Sequence, residues 1–181
     1  MKTKPEEIKK NIQTAREKYK PETIRCLFIA EAPPDKIDRF FYYSNVKTAD
    51  YLFLGITEIL YPELKKEYLD RRRPAELKEK ILQKFCSDGY YLMDVLDIPL
   101  SLHRGYLSTA SSDLIKRVKE VTDKNTPIVL IKVTTYDAVF ENLRNTGFRR
   151  IAPIRIPFPG QGQQKIFAEK FRGALKYLGI I

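Results

Sequence analysis

A carboxylate and a group of aromatic rings stand close together after the first apolar segment of the chain. Residues 27–34 read Leu-Phe-Ile-Ala-Glu-Ala-Pro-Pro, and residues 40–43 read Phe-Phe-Tyr-Tyr. The apolar run is typical of a buried strand, and the two prolines stiffen the loop that follows it. A stiff loop that holds a carboxylate beside an aromatic ring suits a flat polar ligand such as a nucleobase. Glu31 and Phe41 are therefore candidate ligand contacts, while at least two of the four rings are expected in the core.

Other candidate residues lie on later segments of the chain. Asp94 ends a second apolar run, where it would either face the same crevice as Glu31 or cap the next turn. Residues 157–163, Pro-Phe-Pro-Gly-Gln-Gly-Gln, form a stiff loop before the last helix, a setting that suits a phosphate. Arg104 follows the second strand and could reach a phosphate, whereas His103 is more typical of a surface or capping residue. No GxxxxGK[ST] loop occurs, which argues against a nucleotide triphosphatase.

Strands and helices are predicted to alternate along the chain and to position these residues. The apolar runs that predict buried strands are residues 24–30, 90–95, 127–132 and 151–156. Apolar residues recur at helical spacing between these runs and after the last one, and Thr48 is the predicted N-cap of one such helix. A lysine-rich helix is predicted within residues 1–20. The pattern predicts an α/β fold: one three-layer, doubly wound domain over residues 1–181, with a central four-stranded parallel sheet.

The composition favours a nucleic-acid partner. The chain has 181 residues and a formal net charge of +10 at pH 7, which favours a polyanion because neutralised phosphates release counterions. A protein that is merely basic is the alternative. No 18-residue apolar run and no signal-peptide pattern occur, so we expect a cytoplasmic protein without a membrane partner. Cys26 and Cys86 lack metal-ligand spacing, so we expect both to be reduced and no metal to be bound.

Taken together, these loops resemble the uracil-DNA glycosylase superfamily. Residues 29–34, Ile-Ala-Glu-Ala-Pro-Pro, are similar to the Gly-Glu-Ala-Pro-Gly first motif of its iron–sulfur branch. Phe41 takes the place of the phenylalanine in the Pro-Phe-Val-Gly segment of that branch, and Asp94 falls near a strand-end asparagine. Residues 157–162 occupy the place of the His-Pro-Ser-Pro second motif. The order of elements is similar from about residue 24 to residue 178.

The resemblance implies a uracil-DNA glycosylase-like fold, DNA binding, and hydrolysis of the N-glycosidic bond of a damaged or deaminated base. It implies that Phe41 stacks on a flipped-out base and that Asp94 reads the base edge, which suits a base offering a donor, such as cytosine. Glu31 or Asp35 would position a water molecule. The other implied base contacts are Ala32, Pro33 and Phe158. The implied DNA contacts are Arg104, Pro159, Gly160, Gln161 and Gln163.

Several positions depart from the motifs of that superfamily and leave a second function open. Ala32 stands where many of its enzymes have a water-activating aspartate, and residues 156–158 contain no counterpart of the second-motif histidine. The cluster cysteines are absent, so no iron–sulfur centre or other cofactor is expected. The alternative is a non-catalytic module that binds a nucleobase, a nucleotide or another small ligand in the same crevice. A third hypothesis is a basic partner of nucleic acid without a pocket function.

Overall fold

Three parallel strands form the centre of the structure, a computed structural model that describes residues 5–46 and 48–181. Strand β1 (Cys26–Ala30) pairs with β2 (Tyr90–Asp94) on one side and with β3 (Ile128–Leu130) on the other. Every residue of the three strands is buried. Continuously apolar strands of this kind are expected in a parallel sheet that is covered on both faces.

Seven α-helices flank these strands in the part of the chain that the structure describes. In chain order they are α1 (Pro5–Glu17), α2 (Tyr51–Leu60), α3 (Pro62–Asp70), α4 (Ala75–Ser87), α5 (Ser111–Val121), α6 (Val133–Asn145) and α7 (Gln164–Tyr177). Their apolar faces and the strands share one continuous core. The mixed α/β class is therefore confirmed. Residues 1–4 of the predicted N-terminal helix lie outside the described residues.

The predicted fourth strand, residues 151–156, does not form a ladder with its neighbour. Its first and last residues make isolated parallel bridges, to Ile128 and to Ile131. Pro153 lies between the two bridges, and it has no N–H group to donate to the ladder. The sheet within the described residues therefore has three strands instead of the predicted four, and this segment runs beside β3.

The strand order places a crevice at one edge of β1. The order in the sheet is β2–β1–β3, so the chain leaves β1 for one side and later returns to its other side. In open parallel sheets a crevice opens where the connections from two adjacent strands run to opposite sides. This crevice lies beyond the carboxyl ends of the two strands, and ligands bind there. Here the crevice lies between the loop after β1 and the turn from β3 into α6.

The start of α2 differs from the prediction and rests on a buried ion pair. Asp50 is the N-cap, since its Oδ1 accepts a hydrogen bond from the Phe53 amide at 3.2 Å. Lys78 Nζ donates to the other carboxylate oxygen at 2.7 Å, and both side chains are buried. Thr48, the predicted N-cap, instead accepts a hydrogen bond from Arg39 Nε at 2.8 Å. The structure thus corrects the predicted cap by two positions.

Gly55 allows the loop before α7 to lie directly on α2. A Cβ at this position would lie 2.9 Å from the Phe167 ring and 2.9 Å from Pro159 Cβ. We expect Gly55→Ala to lower the free energy of unfolding by about 1–2 kcal/mol, because overpacking outweighs the gain in helix propensity. Urea denaturation of the variant and of the parent chain measures the difference.

Gly173 of α7 provides the matched control for that substitution. A Cβ there would meet only Ile154, at an ordinary 3.8 Å. Gly173→Ala is therefore expected to raise the free energy of unfolding by up to about 1 kcal/mol through helix propensity alone. Equal effects of the two alanines would contradict the close approach at Gly55.

Candidate functional site

A cavity of about 650 Å³ opens at the carboxyl ends of β1 and β3. Its walls come from the loop after β1, the start of α2, the turn from β3 into α6, and the loop before α7. The volume lies within the range of about 300–1,000 Å³ that is usual for small-molecule sites. The predicted site residues that line it are Glu31, Ala32, Pro33, Asp35, Phe41, Asp94, Phe158, Gly160, Gln161 and Gln163.

Two predicted DNA contacts lie outside the lining of this cavity. Arg104 is exposed in the segment between β2 and α5, so it remains a surface cation. Pro159 is buried, and its ring packs against the position of Gly55 on α2. Pro159 therefore anchors the loop on α2, and the predicted contact of this residue with DNA stays a prediction.

Glu31 is held by two donors from the turn that follows β3. Lys132 Nζ donates to its Oε2, and Thr134 Oγ1 donates to its Oε1 at 2.5 Å. The side chain of Glu31 is 12% exposed and that of Lys132 is 36% exposed. Since Thr134 lies in the first turn of α6, the carboxylate also faces the N-terminal end of that helix dipole, which favours negative charge. The cavity thus contains a positioned carboxylate–ammonium pair.

Lys132 has an unusual backbone conformation. Its φ is +81° and its ψ is 133°, at the residue that joins β3 to α6. A residue with a side chain rarely adopts such angles, and holding one there costs on the order of 1–3 kcal/mol. Such outliers cluster at functional sites. The sequence analysis missed Lys132, although a lysine at the end of a buried apolar run was the available signal.

Asp94 is buried and paired with a cation from the N-terminal helix. Arg16 Nη2 lies 2.9 Å from Asp94 Oδ2, and both side chains are only 2% exposed. Burial raises the pKa of Asp94 to about 6, while the charge of Arg16 acts in the opposite direction. Arg16 also donates to Asp97 at 3.3 Å, and Arg117 donates to the same oxygen at 3.0 Å. Asp94 therefore ties α1 to the floor of the cavity.

Comparison with protein-family models, with curated proteins and with solved structures found no match to this chain. The resemblance to the uracil-DNA glycosylase superfamily therefore stays a hypothesis.

The aromatic rings around the cavity divide into buried and exposed ones. Phe40, Phe41 and Tyr42 are at most 3% exposed, which confirms that at least two of the four predicted rings belong to the core. Phe41 packs against Phe85, with ring centroids 5.2 Å apart, and forms part of the cavity wall. Its ring therefore has little free surface for the predicted stacking.

Two other rings at the cavity are free to contact a ligand. Phe158 is 41% exposed and Tyr51 is 43% exposed, and both line the cavity. They flank Gly160, since a Cβ at Gly160 would lie 3.1 Å from the Phe158 ring and 3.8 Å from Tyr51 Cδ2. The sequence analysis missed Tyr51, because the predicted cap at Thr48 placed this residue inside the helix, whereas it is the first residue of α2.

The last predicted catalytic residue, Asp35, lies at the exposed edge of the cavity. Ser101 Oγ donates to its carboxylate and links the loop after β1 to the loop after β2. His103 lies farther along that second loop and does not line the cavity. Asp35 is therefore a residue of the cavity rim, and its hydrogen-bond partner is Ser101.

The remaining expectations concern metals, cysteines and membranes. Within residues 5–46 and 48–181, no group of three or more His, Cys, Asp or Glu side chains is arranged to hold a metal ion. Cys26 and Cys86 are both unpaired thiols, and burial raises the pKa of Cys26 to about 12, which leaves it unreactive. None of the described helices combines the length and the apolar character that a membrane crossing requires.

Proposed function

We propose that this protein binds DNA and holds one unstacked nucleobase in the cavity, where the N-glycosidic bond of a damaged or deaminated base is hydrolysed. The observation that supports this is that Glu31 from the loop after β1, Asp94 from the end of β2 and Phe158 from the loop before α7 line one cavity. A base excision site needs a shaped pocket, a stacking surface and a charged group near the sugar. A cavity, two exposed aromatic rings and a carboxylate–ammonium pair lie together at this edge of the sheet, and this arrangement supports the proposal.

The exposed rings of Tyr51 and Phe158 are the stacking surface in this proposal. Each stacked base gains about 1–3 kcal/mol from an aromatic partner, whichever base it is. Pro33 and Pro34 also line the cavity. Phe41 is buried against Phe53 and Phe85, so in this proposal it forms part of the cavity wall and does not stack on the base, which revises the role that the resemblance implied.

The chemistry in this proposal falls to the Glu31–Lys132 pair. Departure of a base leaves positive charge on the sugar and negative charge on the base, and fixed groups of opposite sign stabilise both. The Glu31 carboxylate would face the sugar and position the attacking water. The Lys132 ammonium would donate to the departing base anion, a donor that the sequence analysis did not find. Thr134 fixes the carboxylate by its hydrogen bond.

The charge of the chain supports a DNA partner for the cavity. The net charge is +10. Arg39 is exposed and lines the cavity, and Lys165 is exposed in the first turn of α7. Contacts of this kind bind phosphates and set the register of DNA without reading sequence. DNA affinity is therefore expected to fall steeply as salt rises.

The test uses a panel of DNA duplexes that each carry one uracil, one mismatched base or one alkylated base. We expect abasic sites, detected by alkaline strand cleavage, in at least one duplex. Phe158→Ala is expected to weaken binding of that duplex about 5- to 100-fold, since one stacking ring is lost. Tyr106→Ala is the matched control, because Tyr106 is 82% exposed and lies away from the cavity lining.

The same panel decides between this proposal and a non-catalytic binding module. That module is the second candidate because Glu31, Asp35 and Asp94 all have hydrogen-bond partners already. Salt-sensitive binding of every duplex without abasic sites would overturn excision and leave the module. A chain that binds no DNA even at low salt would overturn base excision and the DNA partner, and would leave a module that binds a small ligand in the cavity.

A further inference from the structure

The turn that carries Lys132 has the geometry of a turn that presents a nucleophile. In α/β-hydrolases a strained strand-to-helix turn raises the nucleophilic serine above the sheet edge. Lys132 joins β3 to α6 with a φ of +81°, and its side chain is 36% exposed where it lines the cavity. The likeness is one of backbone geometry and position, and it places a primary amine where a nucleophile would stand.

The neighbours of Lys132 form the rest of a nucleophilic site. An activated nucleophile needs a base within hydrogen-bond reach, and the base is in turn held by a third group. Lys132 Nζ donates to Glu31 Oε2, and Thr134 Oγ1 donates to Glu31 Oε1 at 2.5 Å. The amine of Lys132, the carboxylate of Glu31 and the hydroxyl of Thr134 are therefore linked in this order within one cavity. Lysine suits this role because its ammonium can lose a proton, which arginine does not do in proteins.

We infer that Lys132 is a nucleophile that forms an imine with the C1′ aldehyde of an abasic site. The inference rests on the proposed function, since an abasic sugar is the product that base excision leaves in the cavity. It adds a second activity, cleavage of the DNA strand, to the hydrolysis proposed above.

Lys132 and Glu31 together carry out the proton transfers of this reaction. The Lys132 ammonium gives a proton to the Glu31 carboxylate, and the free amine adds to C1′ to form a carbinolamine. Glu31 returns its proton to the departing hydroxyl, water leaves, and a protonated imine remains. Glu31 then removes a proton from C2′, the C3′–O bond breaks, and the 3′ phosphate departs with the downstream strand. Water hydrolyses the protonated imine and frees Lys132 as its ammonium, and Glu31 releases the C2′ proton to solvent.

The experiment uses the full chain and a duplex that already contains an abasic site, with sodium borohydride to reduce the imine. We expect a covalent protein–DNA band on a denaturing gel and, without borohydride, strand cleavage on the 3′ side of the abasic site. Peptide mapping of the trapped band should place the sugar on Lys132. Lys132→Arg is expected to lose the band while keeping the positive charge.

Lys116→Arg is the matched control because Lys116 is 75% exposed on α5 and lies away from the cavity lining. It should trap DNA like the parent chain. Glu31→Gln should form the band more slowly than the parent, since the proton acceptor is lost. A second arm replaces the duplex with free deoxyribose 5-phosphate, and equal trapping there would overturn the assignment of the carbonyl to DNA.

The prepared abasic site separates this inference from the proposed function. Base excision on the earlier panel without a trapped band here would overturn the inference and leave the proposed function standing. A band mapped to Lys132 without excision on the panel would support the inference and overturn base excision. A band that persists in Lys132→Arg, or that maps to the N-terminal amine, would overturn the inference.

Discussion

Replacing Arg16 by methionine is expected to lower the free energy of unfolding by about 3–5 kcal/mol at pH 8, because the substitution leaves a buried carboxylate without its cation. Asp94 lies 2.9 Å from Arg16, and each side chain is 2% exposed. A natural domain is stable by only about 5–15 kcal/mol, so a loss of this size threatens the folded state. Methionine keeps most of the length of the arginine stem, so the lost charge dominates the effect.

The folding free energy lost in Arg16→Met is expected to be larger at high pH than at low pH. The pKa of Asp94 in the folded chain is about 6, above the ordinary value of 3.8. An acid with a raised pKa favours folding when it is protonated, and this contribution is lost as the pH rises through about 6. Arg16 lowers that pKa, so its removal raises it further. Arg16→Met should therefore destabilise the chain less at pH 5 than at pH 8.

Two control variants isolate the buried charge. Arg16→Met/Asp94→Asn removes the carboxylate charge as well, and it should recover most of the stability lost at pH 8. Lys10→Met changes an exposed cation on the same helix and should have little effect. Urea denaturation at both pH values measures all the variants. A loss in Arg16→Met that is the same at pH 5 and pH 8, or a double variant without recovery, would contradict this account.

This ion pair gives the N-terminal helix a role at the cavity. Arg16 lies on α1, while Asp94 ends β2 and lines the cavity floor. Arg117 of α5 donates to the carbonyl oxygens of Asp94 and Val95 at 3.1 Å and 2.6 Å. Arg16 of α1 thus holds the side chain at the end of β2, and Arg117 of α5 holds the backbone there. The lysine-rich N-terminal helix therefore helps to position the floor of the cavity.

The parts of the fold that local patterns specify were predictable from the sequence. The first three strands and the helices between them follow the apolar runs and the helical spacing, because burial of a strand or a helix face leaves a local signature. The prediction of a fourth strand was wrong because residues 151–156 include Pro153, which has no N–H group to donate to a ladder. The cap moved from Thr48 to Asp50 because a buried lysine 28 residues away selects the carboxylate.

The candidate site was predictable in position but not in its partners. Parallel strands bring their carboxyl ends to one edge, so a position of Asp94 in the same crevice as Glu31 was one of the two alternatives that the sequence left open. Their cations come from far along the chain: Arg16 is 78 residues from Asp94, and Lys132 is 101 residues from Glu31. No local pattern reports such a pairing. The positive φ of Lys132 was equally hidden, since a sequence favours glycine at such positions and here it is lysine.

Replacing Glu31 by glutamine is expected to lower the rate of base excision about 10²- to 10³-fold, because the carboxylate positions water and stabilises the sugar cation. Glutamine keeps the size of the side chain and an oxygen that can accept from Thr134. Single-turnover kinetics on the duplex that the panel identifies measure the chemical step. Binding of that duplex should change little, since the stacking rings and surface cations are untouched.

The folding free energy of Glu31→Gln is expected to change much less than its rate of base excision. The Glu31–Lys132 pair is partly exposed, so its loss should cost at most about 1 kcal/mol of folding free energy. Glu58→Gln is the matched control, because Glu58 pairs with Lys65, is 49% exposed and lies away from the cavity lining. It should change neither rate nor stability by a comparable amount. A large loss of excision rate with a small loss of folding free energy would identify Glu31 as a catalytic carboxylate and not a structural one. If Glu31→Gln excised the base at the full rate, the role of the carboxylate would be to hold the strained turn at Lys132.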